Sequence, residues 1–148
     1  MKSQTSRYAL FIFALIVLGG IWFFSVAGYK EYTPVVPATI QRDCAPWDGS
    51  AFTVSIPIAK SLLVISIYQS PDIKLPATFK FPDNTGRVGN AVLVLPVGPP
   101  EQLTGKVSFQ RVEPGMPVQG EFHLLTETGE QFNGKFTAEW NNQPIYCG

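Results

Sequence analysis

The chain has 148 residues with 11 basic and 11 acidic side chains, and 45% of its residues are hydrophobic. That length allows one domain of ordinary size. The apolar and aromatic content excludes a disordered tail. The balanced charge excludes a polybasic nucleic-acid binder, which needs an excess of cations to neutralise phosphates. We therefore expect one folded domain that has no nucleic-acid partner.

A long uncharged segment comes near the start of the chain. Tyr8 to Gly28 form 21 positions without a charged side chain. As a helix, a segment of this length spans about 30 Å, the thickness of a bilayer's hydrocarbon core. Lys2 and Arg7 precede it, so the positive-inside rule predicts a cytoplasmic N-terminus at 1–7. We expect a single-pass protein with a signal-anchor helix at 8–28 and a periplasmic or extracellular domain beyond it.

The alternative to an anchor is a cleaved signal peptide. Residues 25–27 (Ser-Val-Ala) fit the small-x-small pattern that directs cleavage after Ala27. The apolar run is longer than in most signal peptides, and the bulky aromatic residues 22–24 crowd the position before the cleavage site. These features favour retention of the helix. Both interpretations place the following domain outside the cytoplasm.

Cys44 and Cys147, the two cysteines of the sequence, lie far apart in the segment that follows the apolar run. In an oxidising compartment an even number of cysteines predicts a disulfide. Their spacing matches no zinc pattern, and no C-x-x-C motif indicates redox chemistry. We expect a Cys44–Cys147 bridge that closes a loop of about 100 residues.

Prolines and turn residues divide the rest of the chain into short segments. Residues 29–43 contain two prolines and no hydrophobic period, which predicts an extended stalk. Residues 44–148 form the predicted extracytoplasmic domain. After residue 44, only 118–140 is long enough for a helix, and its apolar residues recur with the period of a strand.

Alternating apolar and polar residues predict several short strands in this domain. They lie at 51–57, 62–69, 75–81, 90–95, 105–112, 118–126 and 132–140. Phe122 and Phe136 are predicted to face inward, and Glu121 and Lys135 outward. About seven or eight strands without helices predict an antiparallel β-sandwich, with a small β-barrel as the alternative.

A repeated pattern runs through the last third of the chain. It appears as G-K-V-S-F from Gly105, G-E-F-H-L from Gly120 and G-K-F-T-A from Gly134. A glycine within a strand marks a bulge, a bend or a close approach of a neighbour. From Gly105 to Cys147 the chain resembles small, uncharacterised exported bacterial β-sandwich proteins. The resemblance implies an exported β-sandwich and carries no activity.

Side chains that commonly perform chemistry are few and scattered. His123 is the only histidine, and it is predicted on an outward face without a nucleophile beside it. The acidic residues fall on turns and outward positions, so no carboxylate pair for glycoside hydrolysis is placed. The loop Asp83–Asn90 offers oxygen ligands for calcium, but a plain turn is the preferred interpretation. We expect no catalytic, cofactor or metal site and no enzymatic activity.

Aromatic residues provide the remaining candidate site. Rings in small β domains usually belong to the core, but four of them can also form a ligand platform. These are Trp47, Tyr68, Trp140 and Tyr146. The leading hypothesis is a non-enzymatic, membrane-anchored domain that binds a protein, either as an accessory subunit of a membrane complex or as an envelope protein. The alternative is a secreted carbohydrate- or ligand-binding module released by cleavage at Ala27.

Overall fold

A computed structural model describes residues 34–147, and each regular element in that range is a β-strand. The strands are β1 Val35–Cys44, β2 Ser50–Ile58, β3 Ser61–Ile67, β4 Ala77–Phe81, β5 Gly89–Val94, β6 Glu101–Gln102, β7 Thr104–Phe109, β8 Val118–Leu125 and β9 Gln131–Asn141. The predicted all-β class is confirmed. The predicted N-terminal segment and helix at 1–28 lie outside the described residues. Within 34–147 no helix is long and apolar enough to cross a membrane.

The nine strands form one sheet in the order β4-β7-β8-β9-β1-β2-β3-β5-β6. β1 and β9 are parallel, and the other neighbouring pairs are antiparallel. This corrects the predicted sandwich of seven or eight antiparallel strands. β4 and β6 remain as edges, so the alternative of a closed barrel is not formed either.

The single sheet curls so that its inner face encloses the core. Three strands separate β2 from β7 in the sheet, yet the rings of Phe52 and Phe109 meet with centroids 5.6 Å apart. Phe109 also contacts Phe79 and Phe136 edge to face. Only a sheet that folds back over itself brings these strands face to face. The curl therefore encloses a core between two parts of one sheet, as two packed sheets do in a sandwich.

The predicted stalk is largely a strand of this sheet. Residues 35–43 form most of β1, which pairs with β2 on one side and β9 on the other. The domain therefore begins about ten residues earlier than the predicted boundary at 44. Pro37 is tolerated because it lies where β1 pairs with β9 alone, since pairing with β2 reaches only Thr39. A proline without an N–H group is accommodated on such a locally unpaired side.

The repeated glycines of β8 and β9 make room for aromatic rings. Phe122 and Phe136 are 3% and 1% exposed, which confirms their predicted inward orientation. Phe136 lies opposite Gly120, and Phe122 lies opposite Gly134. A methyl group at Gly120 would approach the Phe136 ring to 2.3 Å, and one at Gly134 would approach Phe122 to 2.6 Å. The repeat thus pairs each ring with a glycine on the neighbouring strand.

The two ends of the curled sheet differ in what they carry. We call the end that contains Cys44 and Ser50 the disulfide end. The opposite end, which contains Val35 and Ile58, we call the proximal end because the chain reaches it first. β1 crosses the whole distance between the two.

Candidate functional site

The disulfide end is held together by the predicted bridge. Cys44 and Cys147 are bonded, with Cα atoms 5.5 Å apart, which confirms the pairing expected from the sequence. Residues 142–147 belong to no strand. The bridge therefore attaches this carboxy-terminal segment to the last residue of β1, and it fixes the position of the residues beside it.

A tight turn next to the disulfide presents Trp47. The amide of Ala45 donates to the carbonyl of Gly49 at 2.8 Å, and the amide of Asp48 donates to the carbonyl of Ala45 at 3.0 Å. The indole lies against Gly49, where an added Cβ would be 2.8 Å from the indole Nε1. The absence of a side chain at Gly49 therefore lets the Trp47 ring pack down on the turn.

Tyr68 supports Trp47 from the following hairpin. The two rings are edge to face, with centroids 5.5 Å apart and an interplanar angle of 82°. Tyr68 follows β3, and its amide donates to the carbonyl of Val88 at 2.9 Å. Trp47 nevertheless stays 50% exposed. We call these two residues the Trp47 surface; it is an apolar surface whose exposed indole is held by contacts with Gly49 and Tyr68.

The other two aromatic residues of the predicted platform have different surroundings. Trp140 packs against the core, and its indole N–H donates to the carbonyl of Glu113 at 2.9 Å. Tyr146 is 91% exposed and directly precedes Cys147. The structure therefore joins Trp47 to Tyr68, leaves Tyr146 projecting beside the disulfide, and uses Trp140 to pack the core.

The sequence hypothesis did not single out Gly49, although this residue sets the position of the indole. The signal was present in the run Ala45–Gly49 (A-P-W-D-G), because proline, aspartate and glycine all favour turns. The φ of Asp48 is +62°, in the left-handed region that turn residues of this kind adopt. A tryptophan inside such a turn is held at the surface by the turn itself.

His123 lies on the exposed outer face of the sheet. Its Nε2 is 2.8 Å from Glu121 Oε1, and its Nδ1 is 3.1 Å from Asn133 Oδ1. All of these contacts are between surface side chains of two adjacent strands. Among residues 34–147, no three His, Cys, Asp or Glu side chains are grouped to hold a metal ion.

The loop that offered calcium ligands is organised around one carboxylate. Asp83 accepts hydrogen bonds from the Thr85 hydroxyl, from the Thr85 amide at 2.7 Å and from the Val88 amide at 2.9 Å. The Thr85 hydroxyl, followed by the Val88 amide, lowers the pKa of Asp83 from 3.8 to about 2. These internal donors stabilise the ionised carboxylate, so its oxygens close a turn.

Comparisons with known proteins leave the function to be argued from geometry. Neither the family models, nor the curated proteins, nor the solved structures contain a match to this chain. The resemblance of residues 105–147 to exported bacterial β-sandwich proteins therefore stays a prediction. The Trp47 surface is the feature of the described residues with the clearest binding geometry.

Proposed function

We propose that this chain is a non-enzymatic, membrane-anchored extracytoplasmic domain that binds a protein partner through the Trp47 surface. The observation that carries the proposal is a tryptophan that is half exposed yet held by Gly49 and Tyr68. Tryptophan and tyrosine dominate the binding energy of protein interfaces. A ring that contacts of its own chain restrict before binding loses less conformational entropy when a partner covers it.

The disulfide supports the extracytoplasmic location. A bridge between Cys44 and Cys147 persists in oxidising compartments and is rare in the cytoplasm. The uncharged run at 8–28 and the basic residues before it supply the matching export signal. These two features come from different parts of the chain, and both favour export.

Side-chain docking is the binding mode that the sheet favours. A partner that adds a strand needs a long exposed edge. β6 has two residues, and β4 has five and lies between Pro76 and Pro82. Short edges flanked by proline oppose strand addition. The partner is therefore expected to bury Trp47 in a pocket of its own.

The ring geometry favours a protein over a carbohydrate. Successive sugar rings stack on aromatic faces that lie in a common plane. The 82° angle between Trp47 and Tyr68 presents a single ring face together with a ring edge. Such an arrangement fits an irregular protein pocket better than an extended polysaccharide.

The binding proposal is tested by capture from solubilised membranes with the full-length chain, followed by affinity measurement with each captured protein. Loss of a tryptophan hot spot costs about 2 kcal/mol or more, so we expect Trp47→Ala to raise Kd by about 30-fold or more. Met116→Ala is the matched control, because Met116 is also an exposed apolar residue in a turn. If both variants bind like the parent chain, Trp47 is not the binding residue.

Protease added outside spheroplasts tests the topology. We expect residues 30–148 to be degraded while the membrane stays intact, because the positive-inside rule places them outside. Full protection would reverse the proposed orientation. Mass spectrometry of the mature amino terminus completes the test, since loss of residues 1–27 would establish the secreted alternative.

A further inference from the structure

The outer face of the sheet carries a carboxylate close to the Trp47 surface. Asp43 lies opposite Ala51 in the β1–β2 ladder. The next residue of β2, Phe52, is buried in the core, so alternation along the strand points Ala51 and Asp43 to the outer face. On the other side of β2, β3 ends opposite Phe52, so the residue that follows β3, Tyr68, comes next to Ala51. Asp43 and Tyr68 therefore flank the same alanine.

The side chains around Ala51 form one continuous surface. Ala51 is 2% exposed although it faces outward, which means that its neighbours cover it. On one side of it Tyr68 contacts Trp47 edge to face, and on the other side lies Asp43. Asp43 and Tyr68 are two strand spacings apart, a distance of about 10 Å. A partner that covers the exposed Trp47 ring can therefore reach Asp43 with a single long side chain.

Hydrogen bonds fix the Asp43 carboxylate in place. Its Oδ1 accepts from the amide of Cys44 at 2.8 Å, and its Oδ2 accepts from the hydroxyl of Thr53 at 2.6 Å. The hydroxyl of Ser66 is 3.1 Å from that of Thr53 and donates to it, because the single proton of Thr53 is already given to Asp43. Each carboxylate oxygen keeps a second acceptor position. The group is thus oriented and still able to accept from a partner.

The domain itself supplies no cation for this carboxylate. Two ion pairs are present among residues 34–147, and neither includes Asp43. The next basic residue along the chain, Arg42, alternates to the opposite face and borders a cavity beside Trp140. Arg87, from the loop before β5, pairs with no carboxylate either. The charge of Asp43 is therefore left for a binding partner to neutralise.

The surroundings of Trp47 are negatively charged. Residues 43–73 contain three carboxylates, Asp43, Asp48 and Asp72, and one basic residue, Lys60. Lys60 lies in the β2–β3 turn at the proximal end, whereas Asp48 directly follows Trp47 and is exposed. Binding surfaces pair with potentials of the opposite sign. The partner is therefore expected to bring a positive side chain to the Trp47 surface.

Arginine is the cation that suits an aromatic ring and a carboxylate together. Its planar guanidinium stacks on aromatic faces and carries five N–H donors, so one group can lie on the indole and donate to Asp43 at the same time. Tryptophan provides the strongest cation–π contact of the aromatic residues. Arginine is also enriched among the residues that dominate interface energies, whereas lysine is depleted from interfaces. These properties favour arginine over lysine.

We propose that the protein partner inserts an arginine side chain at the Trp47 surface. The guanidinium lies against the exposed indole of Trp47 and donates hydrogen bonds to the carboxylate of Asp43. This inference rests on the proposed function and names the chemistry of the partner. Its ligand is a protein segment that exposes an arginine.

The test uses a capped Gly-Arg-Gly peptide and the same peptide with citrulline, which has the shape of arginine without its charge. The full-length chain, in detergent micelles and labelled with 15N at the tryptophan indoles, is titrated and followed by NMR. Because one side chain supplies a small part of an interface, we expect a Kd on the order of 1–10 mM for the arginine peptide. It should move the indole signal of Trp47 and leave that of the core-packed Trp140 in place. The citrulline peptide should move neither.

Asp43→Asn isolates the contribution of the carboxylate. It should raise the Kd of the arginine peptide about fivefold, as expected for an exposed ion pair worth about 1 kcal/mol. The amide oxygen of asparagine can still accept from Thr53, and the melting temperature checks that the fold is kept. Glu127→Gln is the matched control, because it removes the same charge from an exposed turn at the proximal end and should leave the Kd unchanged.

The outcomes separate the arginine from the Trp47 surface itself. Equal shifts with both peptides, or no shift of the Trp47 signal, would overturn the arginine without reference to any variant. So would an unchanged Kd in Asp43→Asn. A captured protein that loses affinity in Trp47→Ala but not in Asp43→Asn would likewise exclude the arginine and leave the Trp47 surface as the binding site. Unchanged affinity of that protein for Trp47→Ala would refute the proposed function and the arginine with it.

Discussion

Phe109→Ala is the most direct test of the curled sheet. Phe109 ends β7 and is 1% exposed. Its ring centroid lies 5.6 Å from that of Phe52 and 5.8 Å from those of Phe79 and Phe136. These three rings belong to β2, β4 and β9, so one substitution removes contacts across the curl and within it.

The cost of this substitution follows from burial and ring contacts. Truncating a buried phenylalanine to alanine costs about 3–5 kcal/mol. Each lost edge-to-face contact contributes about 0.5–1.5 kcal/mol beyond the buried area, so three contacts place the cost near the upper limit. A domain of this size has a free energy of unfolding of about 5–15 kcal/mol. At about 4 °C per kcal/mol, the melting temperature should fall by about 15–20 °C.

Urea unfolding of the full chain in detergent, followed by tryptophan fluorescence, measures the effect. Ser108→Ala is the matched control on the same strand. Its hydroxyl is hydrogen-bonded only to Thr78 on the outer face, at 2.8 Å, so its loss should cost within about 0.5 kcal/mol. Equal losses for Phe109→Ala and Ser108→Ala would mean that β7 does not face the core as described, and the argument for the curl would fail.

Three further predictions concern the bridge, the Asp83 turn and the glycine–phenylalanine pairs. Cys44→Ser, Cys147→Ser and the double variant should each lose the same stability, up to about 4.7 kcal/mol, because one bond is lost in each case; unequal losses in urea unfolding would contradict this. The pKa of Asp83 is lowered from 3.8 to about 2, so its stabilisation is complete above pH 4 and lost as the pH falls through 2. The stability difference between the parent chain and Asp83→Asn should therefore shrink between pH 4 and 2, and a constant difference would refute the role of the ionised carboxylate. Gly120→Ala should cost about 1–3 kcal/mol because its methyl group would overlap the Phe136 ring. Gly129→Ala is the control, because in its open turn the substitution strains the backbone without any overlap.

The strands with one buried face were predictable from sequence. The predicted segments 118–126 and 132–140 match β8 and β9 to within one residue at each end. Alternation is strong there because one face packs in the curl and the other meets water. The disulfide was predictable for a different reason, since two cysteines allow only one pairing.

β1 was not predicted as a strand, because the local sequence carries no information about the strands that pair with it. Its residues 41–43 are polar, and Pro34 and Pro37 flank Val35 and Val36 in a pattern typical of a linker. Its stability comes from parallel pairing with β9, about 100 residues away in sequence. Without β1 in the centre, the remaining strands divide into two groups, and a two-sheet sandwich is the natural inference.

The aromatic pair of the candidate site was predictable only as a set of residue types. Trp47 precedes β2 and Tyr68 follows β3, so the β2–β3 hairpin brings them to the same end once its register is known. Trp140 has the same residue type and proximity to a cysteine, but it lies at an inner position of β9 and packs on the core. Whether an aromatic ring lies in the core or at the surface depends on the direction in which the backbone at that residue points its side chain.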